Sequence, residues 1–380
     1  MDRRAFGLTA SGFGLIAVCY GLARFAFGLF LPAIAVDLSL SASFSGLISG
    51  GSFFGYCLAI VVSAALTERF GPRFVVGLAG CVATIGILGI ASAPGGVTLA
   101  AAVLFAGMST GLASPPLAAA VSQRVVTNLQ DRANTLINAG ASGGVALSAP
   151  AALILGSDWR LAFAIFVGVA LIETVIIILI APRAATSSGD HPRGLPALND
   201  DIKRLFAAAF LMGAASTAVW SFGGELTRRS LGWSSAEIGT LWLAIGLVGL
   251  TGGACGHFIQ RFGLNRVQGS FLLVLAAATI LVAMAQNTVM ALVGGGLFGV
   301  AYMALTGVYL VWGIRAMQER PATGITIGFL AIAAGQVAGA PIFGLLLDTA
   351  SAPIAGIAFA LVALSACALP RHLGTARPAS

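Results

Sequence analysis

The chain has 380 residues, of which 58% are hydrophobic and 9% charged, with 50 glycines. That balance lies outside the range of soluble domains and predicts a polytopic membrane protein. The net charge of +7 sits on basic residues scattered singly or in pairs between apolar runs, which argues against a nucleic-acid-binding face, and no alternating pattern of a membrane barrel competes.

Counting apolar runs bounded by charge, Gly or Pro gives twelve helices, over residues 9–36, 43–67, 73–92, 97–124, 132–156, 160–182, 203–227, 235–260, 266–285, 289–316, 321–347 and 353–370. Runs of this length cross roughly 30 Å of hydrocarbon at about 1.5 Å per residue. The longest polar stretch, residues 183–201, reads as a flexible cytoplasmic linker between bundles at 1–182 and 202–380. The predicted class is an all-α polytopic membrane protein, with twelve transmembrane helices in two pseudo-symmetric six-helix bundles. With the N-terminus in the cytoplasm, sixteen of the twenty Lys and Arg fall inside, three (Arg160, Arg228, Arg229) outside, and Arg24 within a span. This bias places both termini in the cytoplasm, and a bacterial inner membrane is the expected location. Arg3-Arg4 ahead of an apolar run looks like a twin-arginine export signal, but Arg24 interrupts the run and eleven spans follow. The first helix is expected to be retained.

Arg24 lies roughly 22 Å of helix from the inner end of the first span. Insertion of such a residue costs about 2.5–3.5 kcal/mol, so it should face a cavity or a partner. Two readings stay open: a group that attracts an acidic substrate, or a buried pair with Glu173 of the sixth span. An unpaired Glu173 is a candidate proton carrier. Glu225, near the outer end of the seventh span, is a second one, with solvation or pairing to Arg228 at i+3 as the alternatives. Asp37 and Asp348 at outer helix ends read as solvated or capping. In the tenth span Tyr302, Thr306, Tyr309 and Gly313 recur at helical spacing beside Trp312, as a substrate-facing wall or a packing stripe. Tyr20, Tyr56, Asn138, Ser142, Trp220 and Gln336 are further polar or amphipathic groups within spans. The five cysteines sit singly in apolar helices and suggest neither disulfides nor a metal site.

The halves repeat one another. Glu68-Arg69-Phe70-Gly71-Pro72-Arg73 returns as Gln260-Arg261-Phe262-Gly263-Leu264-Asn265-Arg266, and Gln130-Asp131-Arg132-Ala133-Asn134-Thr135 as Gln318-Glu319-Arg320-Pro321-Ala322-Thr323. Arg124 recurs as Arg315 and Pro150 as Pro341. Matched basic loops hinging a duplicated bundle suit alternating access. On these residues the chain resembles the major facilitator superfamily over nearly its full length. That family's loop between spans two and three has the form Gly-x-x-x-Asp-Arg-x-Gly-x-Arg, matched here by Ala64, Glu68, Arg69, Gly71 and Arg73 with Gly replaced by Ala and Asp by Glu. The second copy matches through Gly256, Arg261, Gly263 and Arg266, with Gln260 in the acidic position. Gly21-Leu22-Ala23-Arg24-Phe25-Ala26-Phe27, with Leu31-Pro32 beyond, also looks like the bacterial YbfB/YjiJ-type permeases.

The resemblance implies that spans one and ten face a central cavity. It also implies a conformational latch in which Glu68 meets the start of span eleven after Arg320, with Arg69, Gly71, Arg73, Arg124, Asp131, Arg132, Arg261, Gly263 and Arg266 around it. The substrate-binding set is expected to be Arg24, Tyr20, Trp220, Tyr302, Thr306, Tyr309, Asn138 and Gln336. Span five lacks the antiporter signature Gly-Pro-x-x-Gly-Gly at Ala149-Pro150-Ala151-Ala152-Leu153-Ile154, and span four lacks the mid-span arginine of many drug exporters. The expected function is secondary transport of a small acidic metabolite, by proton coupling or exchange. The alternatives are proton-driven efflux of hydrophobic compounds and, in other classes, a non-transporting receptor or an intramembrane enzyme. For the last, no nucleophile, base or metal constellation appears, and no nucleotide motif suggests ATP. Expected partners are a small-molecule substrate and membrane lipid, with no cofactor, metal or nucleic acid, and the chain is expected to be a monomer.

Overall fold

The computed structural model describes residues 3–183 and 199–369, apart from the side chains of residues 321 and 322. Most of the 183–201 linker therefore lies outside the described residues. Among the described residues, eleven helices are long and apolar enough to cross a membrane. We label them α1 (Arg3–Asp37), α2 (Ala42–Phe70), α3 (Pro72–Ala91), α4 (Gly96–Arg124), α5 (Thr127–Leu155), α6 (Trp159–Ile180), α7 (Asp200–Trp220), α8 (Ser235–Phe262), α9 (Leu264–Ala283), α10 (Thr288–Ala316) and α11 (Pro321–Thr349). A shorter apolar helix, α12 (Ala352–Ala368), completes the twelve.

Polar residues set the ends. The side chains of Ser41, Asp158, Asn199, Ser234 and Asn287 each accept a backbone N–H from the first turn of the following helix, satisfying donors that have no intrahelical acceptor. The duplicated basic loop keeps one backbone shape in both copies: Gly71 has φ 79° and ψ 163°, Gly263 φ 83° and ψ 153°. That region is essentially reserved for glycine. Arg73 then donates to the carbonyls of Ala181 (Nε, 2.6 Å) and Leu179 (Nη2, 3.2 Å), tying this loop to the end of α6.

Three departures from regular helix matter. Residues Ala17–Phe25 of α1 widen into a π-helical stretch. Residues Leu250–Ala254 of α8, rich in glycine, tighten into a 3₁₀ turn. The seventh span, read as continuous over 203–227, instead breaks at Ser221-Phe222 and resumes as a short helix, Gly223–Leu231. The paired glycines there weaken helix continuity, a local effect that an apolar count does not register.

Within each half, equivalent helices touch at glycine. A Cβ on Gly107 of α4 would collide with the Ser52 carbonyl of α2, and one on Gly299 of α10 with the Ile245 carbonyl of α8. Backbones can approach this closely only where no side chain intervenes.

The halves meet on the side opposite the basic loops. There Asp348, at the end of α11, accepts from the Ala42 N–H (3.1 Å), the Ser43 N–H (2.7 Å) and the Ser43 hydroxyl (2.5 Å) at the start of α2. This carboxylate caps a helix of the other half, where the dipole favours negative charge. Arg229 donates to the Leu347 carbonyl at 2.9 Å. Gly28 packs on the Trp220 carbonyl, Gly46 on the Ala340 carbonyl and Gly246 on the Ala146 backbone, so α1 meets α7, α2 meets α11 and α5 meets α8. Arg160 pairs with Asp37 and donates to the Ala93 carbonyl at 3.0 Å, closing the same side of the first half.

Candidate functional site

Between the halves lies a cavity of about 530 Å³ lined by α1, α2, α5, α8, α10 and α11. Its mouth is on the basic-loop side, at Thr135 and Leu136 near the start of α5 and Gly256 near the end of α8, all exposed. Its closed end is aromatic. The Phe25 ring stacks on Trp220 at 4.1 Å between centroids, and Trp220 meets Phe298 and Tyr302 edge-on at 5.3 and 5.2 Å. The Trp242 indole N–H donates to the Phe25 carbonyl at 3.2 Å, so both halves hold this plug.

Arg24 projects into the closed end from the widened stretch of α1. Gly21, one turn earlier, presses backbone to backbone on Gly144 of α5, which fixes α1 beside the cavity. Arg24 is 7% exposed. Its guanidinium carbon lies 4.4 Å from the Phe53 ring centroid, 5.0 Å from Tyr56, 5.3 Å from Phe25 and 5.8 Å from Tyr20. The negative faces of these rings offset part of the cost of burying the charge. Nη2 donates to Gln336 Oε1 of α11 at 2.9 Å, whereas Nε is buried with no acceptor. Among the described residues no carboxylate pairs with it.

Gln336 is held from behind: its amide nitrogen donates to Ser216 Oγ and to the Tyr302 hydroxyl, both at 3.2 Å. The reverse amide orientation would set an NH₂ against the guanidinium, so the carbonyl must face Arg24. The Arg24–Gln336 bond therefore joins the halves across the head of the cavity. Tyr20 shares a hydrogen bond with Ser114 at 3.2 Å, which steadies its ring.

Of the residues expected to bind substrate, Arg24, Tyr20, Asn138, Tyr302, Thr306 and Gln336 line this one cavity. Trp220 lies behind its wall as part of the plug. Tyr309 is fully buried and turned away, its hydroxyl donating to the Ala208 carbonyl of α7 at 3.3 Å. The cavity face of α10 is centred on Met303, Thr306, Gly307 and Leu310. At about 100° per residue, Tyr309 sits roughly a quarter-turn from that centre. The sequence stripe through Tyr302 and Tyr309 thus follows the edge of the wetted face.

Glu173 does not reach Arg24. Its carboxyl group packs over Gly14, ten positions earlier on α1, and Oε1 is buried without a partner. Glu225 is 6% exposed and chelated: Arg228 donates Nε and Nη2 to its two oxygens at 2.9 and 2.8 Å, and Arg229 Nε adds a third bond at 2.6 Å. The expected latch residues cluster on the basic-loop side. Glu68, Arg69, Arg124, Asp131, Arg132, Arg261 and Arg266 are exposed there and Arg320 is half-buried; Arg69 and Arg261 lie over the rings of Phe70 and Phe262 at 5.1 and 5.4 Å. Phe53 and Ser216 carry part of the site without having been singled out. Phe53 lies three residues before Tyr56, one turn along α2, and that spacing was a usable signal.

The chain is similar in fold to several solved transporters. It matches the xylose transporter XylE from E. coli in a partially occluded inward-open conformation with a TM-score of 0.78 at 14% identity, covering 97% of each chain. For the nucleoside transporter NupG the TM-score is 0.74 at 12% identity, over 97% of this chain and 99% of that one. For a bacterial homologue of the human lysosomal transporter Spinster, inward-facing and occupied, it is 0.74 at 17% identity, over 96% and 95%. No curated protein sequence matches the chain. The Major Facilitator Superfamily model matches residues 13–326, a stretch that takes in both basic loops and the cavity-lining residues other than Phe329, Ile332, Ala333 and Gln336; the chain is a member of that superfamily and a transporter rather than an enzyme.

Proposed function

We propose that this transporter moves a small organic anion or acidic metabolite, bound at Arg24, with transport driven by protons or by exchange. The observation that carries the reading is the buried Arg24, which lines a substrate-sized cavity and has no counter-ion among the described residues. A buried cation costs free energy in this setting, and an anion entering the cavity offsets that cost. The positive-inside bias supports a bacterial inner membrane with both termini cytoplasmic, and the cavity mouth is then the cytoplasmic one. The monomer remains the expected working unit.

The direct test is ligand-induced thermal stabilisation by organic anions and by lipophilic cations, on the native protein and Arg24→Ala. Stabilisation by anions that disappears in the variant is the expected result. Stabilisation by cations alone, indifferent to Arg24, would favour efflux of hydrophobic compounds, a reading that the aromatic and aliphatic walls of the cavity support.

Glu173 is our candidate for proton coupling, on the strength of its unpartnered buried oxygen and its seat against α1. In proteoliposomes Glu173→Gln is expected to abolish acceleration of transport by a pH gradient while leaving counterflow intact; a gradient response equal to the native one would remove Glu173 from the mechanism. Glu225, held by two arginines, fits closure of the outer side better than proton transfer. The cytoplasmic latch around Glu68 is proposed to form when the mouth shuts, with Gln260 giving a weaker second copy. Glu68→Gln should therefore shift the resting population inward, read as faster alkylation of a cysteine placed at Leu136, and an unchanged rate would count against the latch.

A further inference from the structure

Resting on the reading of Arg24 as the anion-binding group, we infer that the site takes monocarboxylates with an apolar, ring-sized body, and that the Gln336 carbonyl stands in for the carboxylate when the site is empty. The first support is charge. Among the described cavity-lining residues Arg24 alone is ionisable at neutral pH, so a single negative charge neutralises the site, whereas a dianion would leave one buried and uncompensated.

The second support is the edge of the guanidinium. Elsewhere in this protein Arg228 shows what that edge does when it meets a carboxylate: Nε and Nη2 bind the two oxygens of Glu225 side by side at 2.9 and 2.8 Å. At Arg24 the same edge is half used. Nη2 holds the Gln336 carbonyl at 2.9 Å and the adjacent Nε has nothing. One neutral oxygen occupies a place built for two charged ones. A substrate carboxylate would displace Oε1 from Nη2 and supply the missing acceptor to Nε.

The third support is the rest of the wall. The guanidinium carbon lies over the rings of Phe53, Tyr56, Phe25 and Tyr20, an apolar surround in which the Nε–Nη2 edge is where a ligand finds polar partners. Beyond the head the lining is mainly apolar, with Gly252, Met303, Leu310, Phe329 and Ile332. Such walls suit an aromatic or branched body and offer few partners to a polyhydroxylated one.

The test is equilibrium binding and thermal stabilisation of the purified full-length protein with benzoate, phthalate and benzamide. These are a monoanion, a dianion and a neutral isostere, tried on the native chain, Gln336→Glu and Arg24→Ala. Benzoate is expected to bind best, with both variants weakening it by roughly thirtyfold or more. Gln336→Glu puts a permanent carboxylate where the carbonyl now sits and fills the edge from within, while its ligand-free melting temperature stays at or above the native value. Phthalate binding tighter than benzoate, and lost in Arg24→Ala, would overturn the monocarboxylate class yet keep the anion reading. Benzoate affinity unchanged in Gln336→Glu would overturn the stand-in role. Benzamide binding as well as benzoate, in all three proteins, would overturn the anion reading itself.

Discussion

Arg24→Ala is expected to abolish organic-anion binding and transport while leaving the fold intact. Removing one partner of a buried charged contact costs binding about 2–5 kcal/mol, which is roughly thirtyfold to several thousandfold in affinity. Stability should move little, because two terms of similar size cancel. Keeping an arginine within the membrane costs about 2.5–3.5 kcal/mol. The hydrogen bond to Gln336 returns about 1.5–3 kcal/mol, and the surrounding rings supply the remainder. Arg24→Lys should fare nearly as badly as alanine, since an ammonium cannot present the two adjacent, planar donors that a carboxylate meets side by side. The measurements are counterflow in proteoliposomes for function and ligand-free melting for stability. A fall in melting temperature that parallels the loss of activity would make Arg24 a structural residue and sink its assignment to substrate.

Much of the architecture was readable from the chain because it rests on one-dimensional signals. Apolar run length gives the spans, and the duplicated Arg-Phe-Gly phrase gives the two-half repeat down to the matching backbone angles of Gly71 and Gly263. Asp348 was readable as a capping residue, and it does cap a helix, though of the opposite half. Arg24 stood out because a charge within a span is costly. Its true partner did not stand out, for Gln336 lies 312 positions away and only the fold, which sets α1 and α11 on walls of one cavity, brings the two together. The Glu173 pairing failed on depth: distances counted from the span ends made the offset look bridgeable, but Glu173 packs on Gly14, ten positions from Arg24 along α1. The break after Trp220 and the π-helical stretch at Ala17–Phe25 were equally hidden. Each lies at a close backbone contact between helices, at Gly28 with Trp220 and at Gly21 with Gly144, and an apolar count registers neither those contacts nor the glycines at the break.

Those contacts between halves also provide the sharpest test of the moving parts. Gly28→Val is expected to drive the resting protein out of the state described above and towards one open on the opposite side. A Cβ at Gly28 would fall well inside 3.0 Å of the Trp220 carbonyl oxygen, closer than real Cβ atoms come. The obstacle is backbone, so it cannot rotate aside. Overpacking of this kind costs about 1–3 kcal/mol, which shifts a two-state ratio roughly five- to 150-fold. Because Gly28 and Trp220 belong to different halves, separating them on that side relieves the clash without unfolding either bundle. Gly46→Val, against the Ala340 carbonyl, should act in the same direction. Gly107→Val provides the control, since its clash with Ser52 lies within one half and persists in every state. That variant should lower the melting temperature and leave the ratio of states alone. Two reporter cysteines read the outcome: one at Leu136, 45% exposed at the cavity mouth, and one at Ser45, 1% exposed beneath the opposite closure. With Gly28→Val the first should react more slowly and the second faster. Equal loss of both signals, or reactivity unchanged at both, would mean that the α1–α7 contact is not what holds the side opposite the basic loops shut.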